Sequence, residues 1–241
     1  MTTPGRLLLI PVGLGGDAWP DFLPARTQAT AAALRYFVVE NARAARAHLK
    51  TMGHPLPLRD VAIHELPEQC AAAALDELLA PARAGQDIGL MSDAGCPAVA
   101  DPGSRLVARA HELGIPVMPL VGPSSILLGL MGSGLNGQSF AFHGYLPVAE
   151  SERDLRIRGL EEESRRQDRT QIFIETPYRN ERMFDALLRL CHPQTRLCIA
   201  CDLTTPTEYL VTHRIETWRT TPRPQLAKRP ALFLLLAAAS R

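Results

Sequence analysis

The sequence predicts an α/β protein, with a parallel sheet in its first half and a mixed sheet in its second. Three observations predict it. Short apolar runs alternate with helix-length segments from the first residues onward, as in successive βαβ units. Gly53, Gly85 and Gly114 stand just past three of those segments, where a helix commonly ends in a left-handed residue. Beyond Gly132–Ser139 (GSGLNGQS) there are fewer helical segments per strand, as a mixed sheet allows.

Taken in order, Arg6–Pro11 (RLLLIP) reads as the first strand and Tyr36–Glu40 (YFVVE) as the second. Ala62–Leu66, Ile88–Ser92 (IGLMS) and Val117–Val121 (VMPLV) follow as the third to fifth. The segments between them, Ala42–Met52, Glu68–Ala84 and Ser104–Leu113, have helical patterning. In the second half Phe140–Gly144, Gln171–Glu175, Arg196–Cys201, Glu208–Arg214 and Ala231–Leu236 read as strands. Ser151–Arg166 and Asn180–Leu190 read as helices, and Gly132–Ser139, rich in glycine and small polar residues, could carry a domain junction.

The 241 residues suffice for one large α/β domain or two small ones. Lys and Arg number 26 against 25 Asp and Glu, so there is no overall basic excess of the kind that marks phosphate-docking proteins. A local basic patch is still compatible with RNA. Met1–Gly5 lacks a basic leader region, and the apolar runs Leu7–Ile10 and Ala231–Ala239 are too short to span a bilayer, which takes about 20 residues. Five cysteines without a leader point to reduced thiols and a cytoplasmic protein.

Chemistry concentrates in the loops that follow strands. After the first strand, Gly13, Gly15 and Ala18 fit the relaxed dinucleotide pattern G-x-G-x-x-A, with Glu40 as a ribose ligand. Such a loop must open a helix at its third position, whereas Trp19-Pro20 favours an extended or turn conformation and Pro24 follows closely. A tight turn is the simpler reading.

After the fourth strand, Ser92-Asp93-Ala94-Gly95-Cys96-Pro97 runs into Asp101-Pro102-Gly103-Ser104. This places a loop of glycines, prolines and two aspartates at the carboxyl end of a central strand, where open α/β sheets bind ligands. A charged residue at a strand tip beside glycines has little structural purpose, so Asp93 reads as functional. Asp101 reads as a cap for the helix beginning near Ser104. Gly122-Pro123-Ser124-Ser125 follows the fifth strand and leads into an apolar helix, whose first N–H groups and serines could hold a polar edge of a ligand. Neither serine lies in a G-x-S-x-G elbow.

Cys198-Ile199-Ala200-Cys201, with Cys191-His192 upstream, has one C-x-x-C spacing, but within a strand. Positions three apart there face opposite sides, so buried packing is the better reading and no metal is expected.

Together these motifs resemble the ribosomal RNA small-subunit methyltransferase I family of the tetrapyrrole methylase superfamily. Besides Ser92–Pro97 and Asp101–Gly103, the resemblance is carried by four further stretches. They are Pro119-Leu120-x-Gly122-Pro123-Ser124, Ser133-Gly134-Leu135, Gly144-Tyr145-Leu146-Pro147 and Ile172-Phe173-x-Glu175-x-Pro177-x-Arg179. It runs from the first strand to about Leu236.

The resemblance implies two α/β domains of the tetrapyrrole methylase type, residues 1–122 and 123–241, with S-adenosylmethionine in a cleft between them, and a homodimer. By position, Pro11, Val12, Asp93, Cys96, Ser125, Ile126, Ile174, Glu175, Asp202 and Ala231 would contact the donor. It implies 2′-O-methylation of ribose in 16S ribosomal RNA on the 30S subunit. A hydroxyl acceptor benefits from a general base. Asp93, Glu40 and Glu175 are the candidates, although Glu175 could equally pair with Arg179. Arg43 and Arg179 are candidate anchors for an anionic substrate.

Glu40-Asn41-Ala42-Arg43 replaces the family's Glu-Asp-[Thr/Ser]-Arg, and Lys228-Arg229-Pro230 stands where it has Lys-Gly-Glu. Ala149–Arg169, basic in the family, here mixes Glu and Arg as a solvated helix face does. Two alternatives therefore stand beside the ribosomal substrate. One is a methyltransferase of this fold acting on a small, tetrapyrrole-like molecule or a protein, and the other is a non-catalytic nucleoside-binding descendant.

Overall fold

In the computed structural model, residues 3–15, 19–67 and 71–238 are described, and the chain divides into two units, Met1–Ser124 and Ser125–Arg241. The stretch Gly132–Ser139 lies wholly within the second unit, so the division falls earlier than its composition suggests.

The apolar runs of the first unit form five short strands: β1 (Leu7–Leu9), β2 (Tyr36–Val39), β3 (Ala62–Glu65), β4 (Ile88–Met91) and β5 (Val117–Pro119). They pair in parallel in the order β3-β2-β4-β1-β5. Between them stand α1 (Trp19–Phe22), α2 (Ala25–Ala32), α3 (Ala42–Thr51), α4 (Ala72–Arg83) and α5 (Ser104–Glu112). Alternate residues of a strand point to opposite faces, and the two cores follow that rule. Leu8, Phe37 and Met91 pack with Ala31, Ala45 and Leu49 of α2 and α3. Leu7, Val38 and Leu90 pack with Leu75, Leu79, Leu106 and Ala110 of α4 and α5.

Two details differ from expectation. Trp19–Phe22 is a helical turn rather than an extended segment, and α2 begins directly after Pro24. Proline is tolerated at a helix start because its missing N–H would have had no partner there. Ala18, the third position of the dinucleotide pattern, lies outside the described residues, as does Glu68 of the longer helix expected before Ala84.

The second unit opens with α6 (Ser125–Ser133) and builds β6 (Phe140–Tyr145), α7 (Glu150–Gln167), β7 (Thr170–Glu175) and α8 (Asn180–Leu190). It continues with β8 (Arg196–Cys201), β9 (Tyr209–Arg214), α9 (Ile215–Trp218) and β10 (Ala231–Leu236). The sheet order is β6-β7-β10-β8-β9, with β6 and β7 parallel and the other pairs antiparallel, so this sheet is mixed. Its core gathers Phe173, Phe233, Leu187 and Trp218, and Trp218 donates its indole N–H to the Leu197 carbonyl (2.9 Å). On the other face α6 approaches so closely that a Cβ on Gly129 would lie 2.5 Å from the Leu232 side chain. Ile199 and Cys201 belong to the first of these cores and the buried Cys198 does not, since strand positions three apart face opposite sides.

Candidate functional site

In the first unit, β1 and β2 send the chain to helices on one face, whereas β4, lying between them, sends it to α5 on the other. Neighbouring strands whose connections diverge leave a crevice at their carboxyl ends, the usual ligand position of open α/β sheets. The loop after β4 fills that position. It is stitched to the end of β1 by an isolated bridge in which the Val12 N–H donates to the Gly95 carbonyl (2.9 Å). Cys96 Sγ donates to the Pro123 carbonyl (3.3 Å), tying the loop to the end of β5. Gly122 stands so close to Pro11 that a Cβ there would fall 2.3 Å from the proline Cβ.

The loop itself is held out of the ordinary backbone regions. Gly95 (φ 69°) and Gly103 (φ 125°) accept this readily, but Ala98 and Ala100 share a left-handed φ of 64°. For a residue with a Cβ that conformation costs about 1–2 kcal/mol, and strain of this kind clusters at ligand sites.

Three carboxylates converge here. Glu40, just past β2, accepts the Asp93 N–H through Oε2 (3.1 Å), and His48 Nε2–H of α3 donates to the Asp93 carbonyl (3.0 Å). The Asp93 backbone is thereby fixed while its side chain stays exposed. Burial pushes the Asp93 carboxyl above the ordinary aspartate range, the charge of Glu65 adds to this and His48 opposes it.

Asp101 departs from the sequence reading. The N-cap position of α5 is Gly103 and carries no side-chain cap, so Asp101 does not cap that helix. Its half-buried carboxyl is pushed up to about 6, first by burial and then by the charges of Glu40 and Asp93. The Ser92 hydroxyl, 3% exposed, meets no partner at hydrogen-bond geometry among the described residues, yet it lies close enough to Asp101 to oppose that rise. Burial also raises the Cys96 thiol, with Asp101 adding to it. Arg43 is exposed near the start of α3, whose first N–H groups are already taken by Asn41 (2.9 and 3.0 Å) and Glu65 (2.7 Å).

In the second unit the candidate residues collect at one end of the sheet. Ala231 of β10 stands between Glu175 of β7 and Cys201 of β8, with Asp202 next along the chain. Ser125 and Ile126 form the first turn of α6, and Ile174 is half-buried one residue before Glu175. Here the acids are neutralised. Glu175, its side chain 3% exposed, pairs with Arg179 (2.6 Å) and accepts the Thr176 N–H (2.6 Å). Asp202, at φ 48°, accepts from Arg229 Nε (2.7 Å) and Thr207 Oγ1 (2.9 Å). Arg229 also donates to the Gln225 (2.8 Å) and Thr207 (2.5 Å) carbonyls, binding three loop segments together.

The sequence reading had assigned neither the Arg229 clamp nor the buried setting of Asp101. Both depend on contacts distant along the chain, Arg229 being 27 residues from Asp202. Burial holds the Cys198 and Cys201 thiols up at about 11 and raises Cys191 as well. Among the described residues no three His, Cys, Asp or Glu side chains are placed to hold a metal ion, and no helix is long and apolar enough to cross a membrane.

No protein-family model matches the chain. The chain is 34% identical over 198 residues to the ribosomal RNA small subunit methyltransferase I of Mesorhizobium japonicum, a match covering 82% of this chain and 63% of that protein. It is 30% identical over 238 residues to the protein of the same name from Xylella fastidiosa, covering 98% of this chain and 82% of that one. The match thus spans under two thirds of one curated relative and about four fifths of the other. Among solved structures, the methyltransferase CobJ superposes with a TM-score of 0.64 at 19% identity, covering 98% of this chain and 96% of that one. A uroporphyrin-III C-methyltransferase from Thermus thermophilus, solved with S-adenosylhomocysteine, superposes with a TM-score of 0.53 at 21% identity, covering 96% and 97%. The fold is that of the tetrapyrrole methylases.

Proposed function

The chain belongs to the ribosomal RNA small subunit methyltransferase I family, and on that basis we propose that it transfers a methyl group from S-adenosylmethionine to a ribose 2′-hydroxyl of 16S ribosomal RNA on the 30S subunit. It does so as a homodimer in the cytoplasm. The observation that carries the reading is the strained loop after β4, fixed by Val12, Glu40 and His48 at the carboxyl end of the central strand.

The residues present suit the donor. S-adenosylmethionine is cationic at its sulfonium and its ammonium, and the site presents Glu40 and the exposed Asp93, with no Lys or Arg among the described groups acting on Asp93. In the first unit Pro11, Val12, Asp93 and Cys96 would hold it. When bound, the donor supplies an electrophilic methyl group. The protein's part is to align the acceptor hydroxyl with that group, since an in-line displacement gains most from placement. Arg43, exposed near the start of α3, would meet phosphate oxygens of the RNA, whereas Arg179 is held by Glu175.

One observation favours a second acceptor class. Three of the five arginines of α7 are spent on neighbours, with Arg153 paired to Asp154 (3.2 Å), Arg156 to Glu163 (3.0 Å) and Arg165 to Glu162. A helix so neutralised offers little to phosphate, which suits a small or protein acceptor. Calorimetry with S-adenosylmethionine, and NAD as control, tests the donor. Transfer of labelled methyl to undermethylated 30S particles tests the acceptor. Saturable donor binding with label in ribose supports the proposal, donor binding without labelled RNA favours the second class, and no donor binding defeats both.

A further inference from the structure

Of Glu40, Asp93, Asp101 and Glu175, the first and last are occupied, one by the Asp93 N–H and the other by Arg179 and the Thr176 N–H. Asp93 is exposed and faces His48 and Glu65. Asp101 differs from all three. Among the described residues it has no cationic partner, it is half-buried on the strained stretch between Ala98 and Gly103, and it lies beside a buried serine hydroxyl that meets no hydrogen-bond partner among those residues. Buried polar groups left unpaired are uncommon and call for an explanation such as a ligand or a catalytic role.

We propose that Asp101 is the general base of the transfer, with Ser92 as the positioning residue that orients its carboxylate, an assignment that rests on the proposed methylation of a hydroxyl. The acceptor oxygen forms a bond to the methyl carbon as the carbon–sulfur bond of the donor breaks and its electron pair leaves on sulfur. The hydroxyl proton passes to the Asp101 carboxylate and from there to water. No other oxidant, reductant or co-reactant is required.

The groups facing Asp101 fit this role. Glu40 from the end of β2 and Asp93 from its own loop disfavour its charge, while the Ser92 hydroxyl favours it. Cys96 lies within reach of its field, and His48 and Glu65 act on the neighbouring Asp93. The resulting value of about 6 makes it a stronger base than an ordinary aspartate and leaves it ionised at neutral pH.

The test uses the full-length chain with undermethylated 30S particles and labelled S-adenosylmethionine in single-turnover mode, with donor affinity measured by calorimetry. The wild-type rate is expected to rise with pH and level off above about 6. Asp101→Asn is expected to lower the plateau rate by roughly 100-fold and to abolish the pH step, with donor affinity within about threefold. Ser92→Ala removes the nearby hydroxyl that favours the ionised form and so moves the inflection upward, an effect that mere loss of packing would not produce.

A second readout needs no catalysis. Between the ordinary 3.8 and about 6 the folded chain keeps a proton that the unfolded chain has released, so ionising Asp101 works against folding as pH rises through that window. Asp101→Asn should therefore melt at a higher temperature than wild type above pH 6, with the difference fading towards pH 4. A variant within threefold of the wild-type rate, or one whose rate loss is matched by lost donor binding, overturns the assignment while leaving the proposed function intact. A wild-type chain that binds donor but labels no RNA overturns the acceptor reading and this inference with it.

Discussion

The two sheets present their candidate residues in opposite electrostatic conditions. At the carboxyl end of the first, burial and then the charges of Glu40 and Asp93 raise the cost of ionising Asp101, and among the described residues no arginine pairs with any of the three. At the corresponding end of the second, Glu175 and Asp202 are each held by an arginine, at 2.6 and 2.7 Å. Both ends carry left-handed non-glycine residues, Ala98 and Ala100 in one, Asp202, Thr204 and Lys228 in the other. Strain alone therefore does not separate them. Charge does: the unpaired acids are available to a cationic ligand or a proton, whereas the paired ones fix the backbone that surrounds them.

The largest expected effect breaks a pair in the second unit. Arg179→Ala leaves the buried Glu175 carboxylate without its counter-charge and should cost about 3 kcal/mol of stability in urea unfolding. A loss under 0.5 kcal/mol would show that Glu175 is no more clamped than the acids of the first unit. Next is the close contact in the first unit: Gly122→Ala would drive a Cβ into Pro11 and should cost about 2 kcal/mol, measured the same way. Asp93→Asn should leave stability within about 0.5 kcal/mol. It should also weaken S-adenosylmethionine binding roughly tenfold by calorimetry. If stability fell instead, Asp93 would belong with the structural acids. The smallest effect relieves strain. Ala98→Gly or Ala100→Gly should raise stability by about 0.5 kcal/mol, the released left-handed strain being partly offset by the greater freedom of an unfolded glycine.

Much of the fold was legible because the elements that matter are long and apolar. Asn180–Leu190, Arg196–Cys201 and Ala231–Leu236 begin and end where their patterns do. The helical turn at Trp19–Phe22 was not legible, since Pro20 and Pro24 read as breaks and only the structure shows them at helix starts. In the site, Asp93 could be singled out from its place at a strand tip beside glycine. Asp101, two residues before Gly103, looked like a cap because local spacing says nothing of burial. Its setting is made by Glu40, 61 positions away, a charge that only the parallel pairing of β2 with β4 brings near. Likewise the arginine that secures Asp202 read as a departure at Lys228-Arg229-Pro230 rather than as its partner.

The buried thiols of β8 have a use in measurement. Cys198 and Cys201 lie in a strand flanked on both sides, fully covered, with their thiols held near 11. At neutral pH an alkylating reagent can reach them only when the strand opens, so their labelling rate is a clock for unfolding of the second unit. Cys96 in the first unit is half-exposed, so it would be labelled on a different schedule. Following the three sites by peptide mass spectrometry, with and without S-adenosylmethionine, would time how each half of the chain breathes and which half the donor quiets.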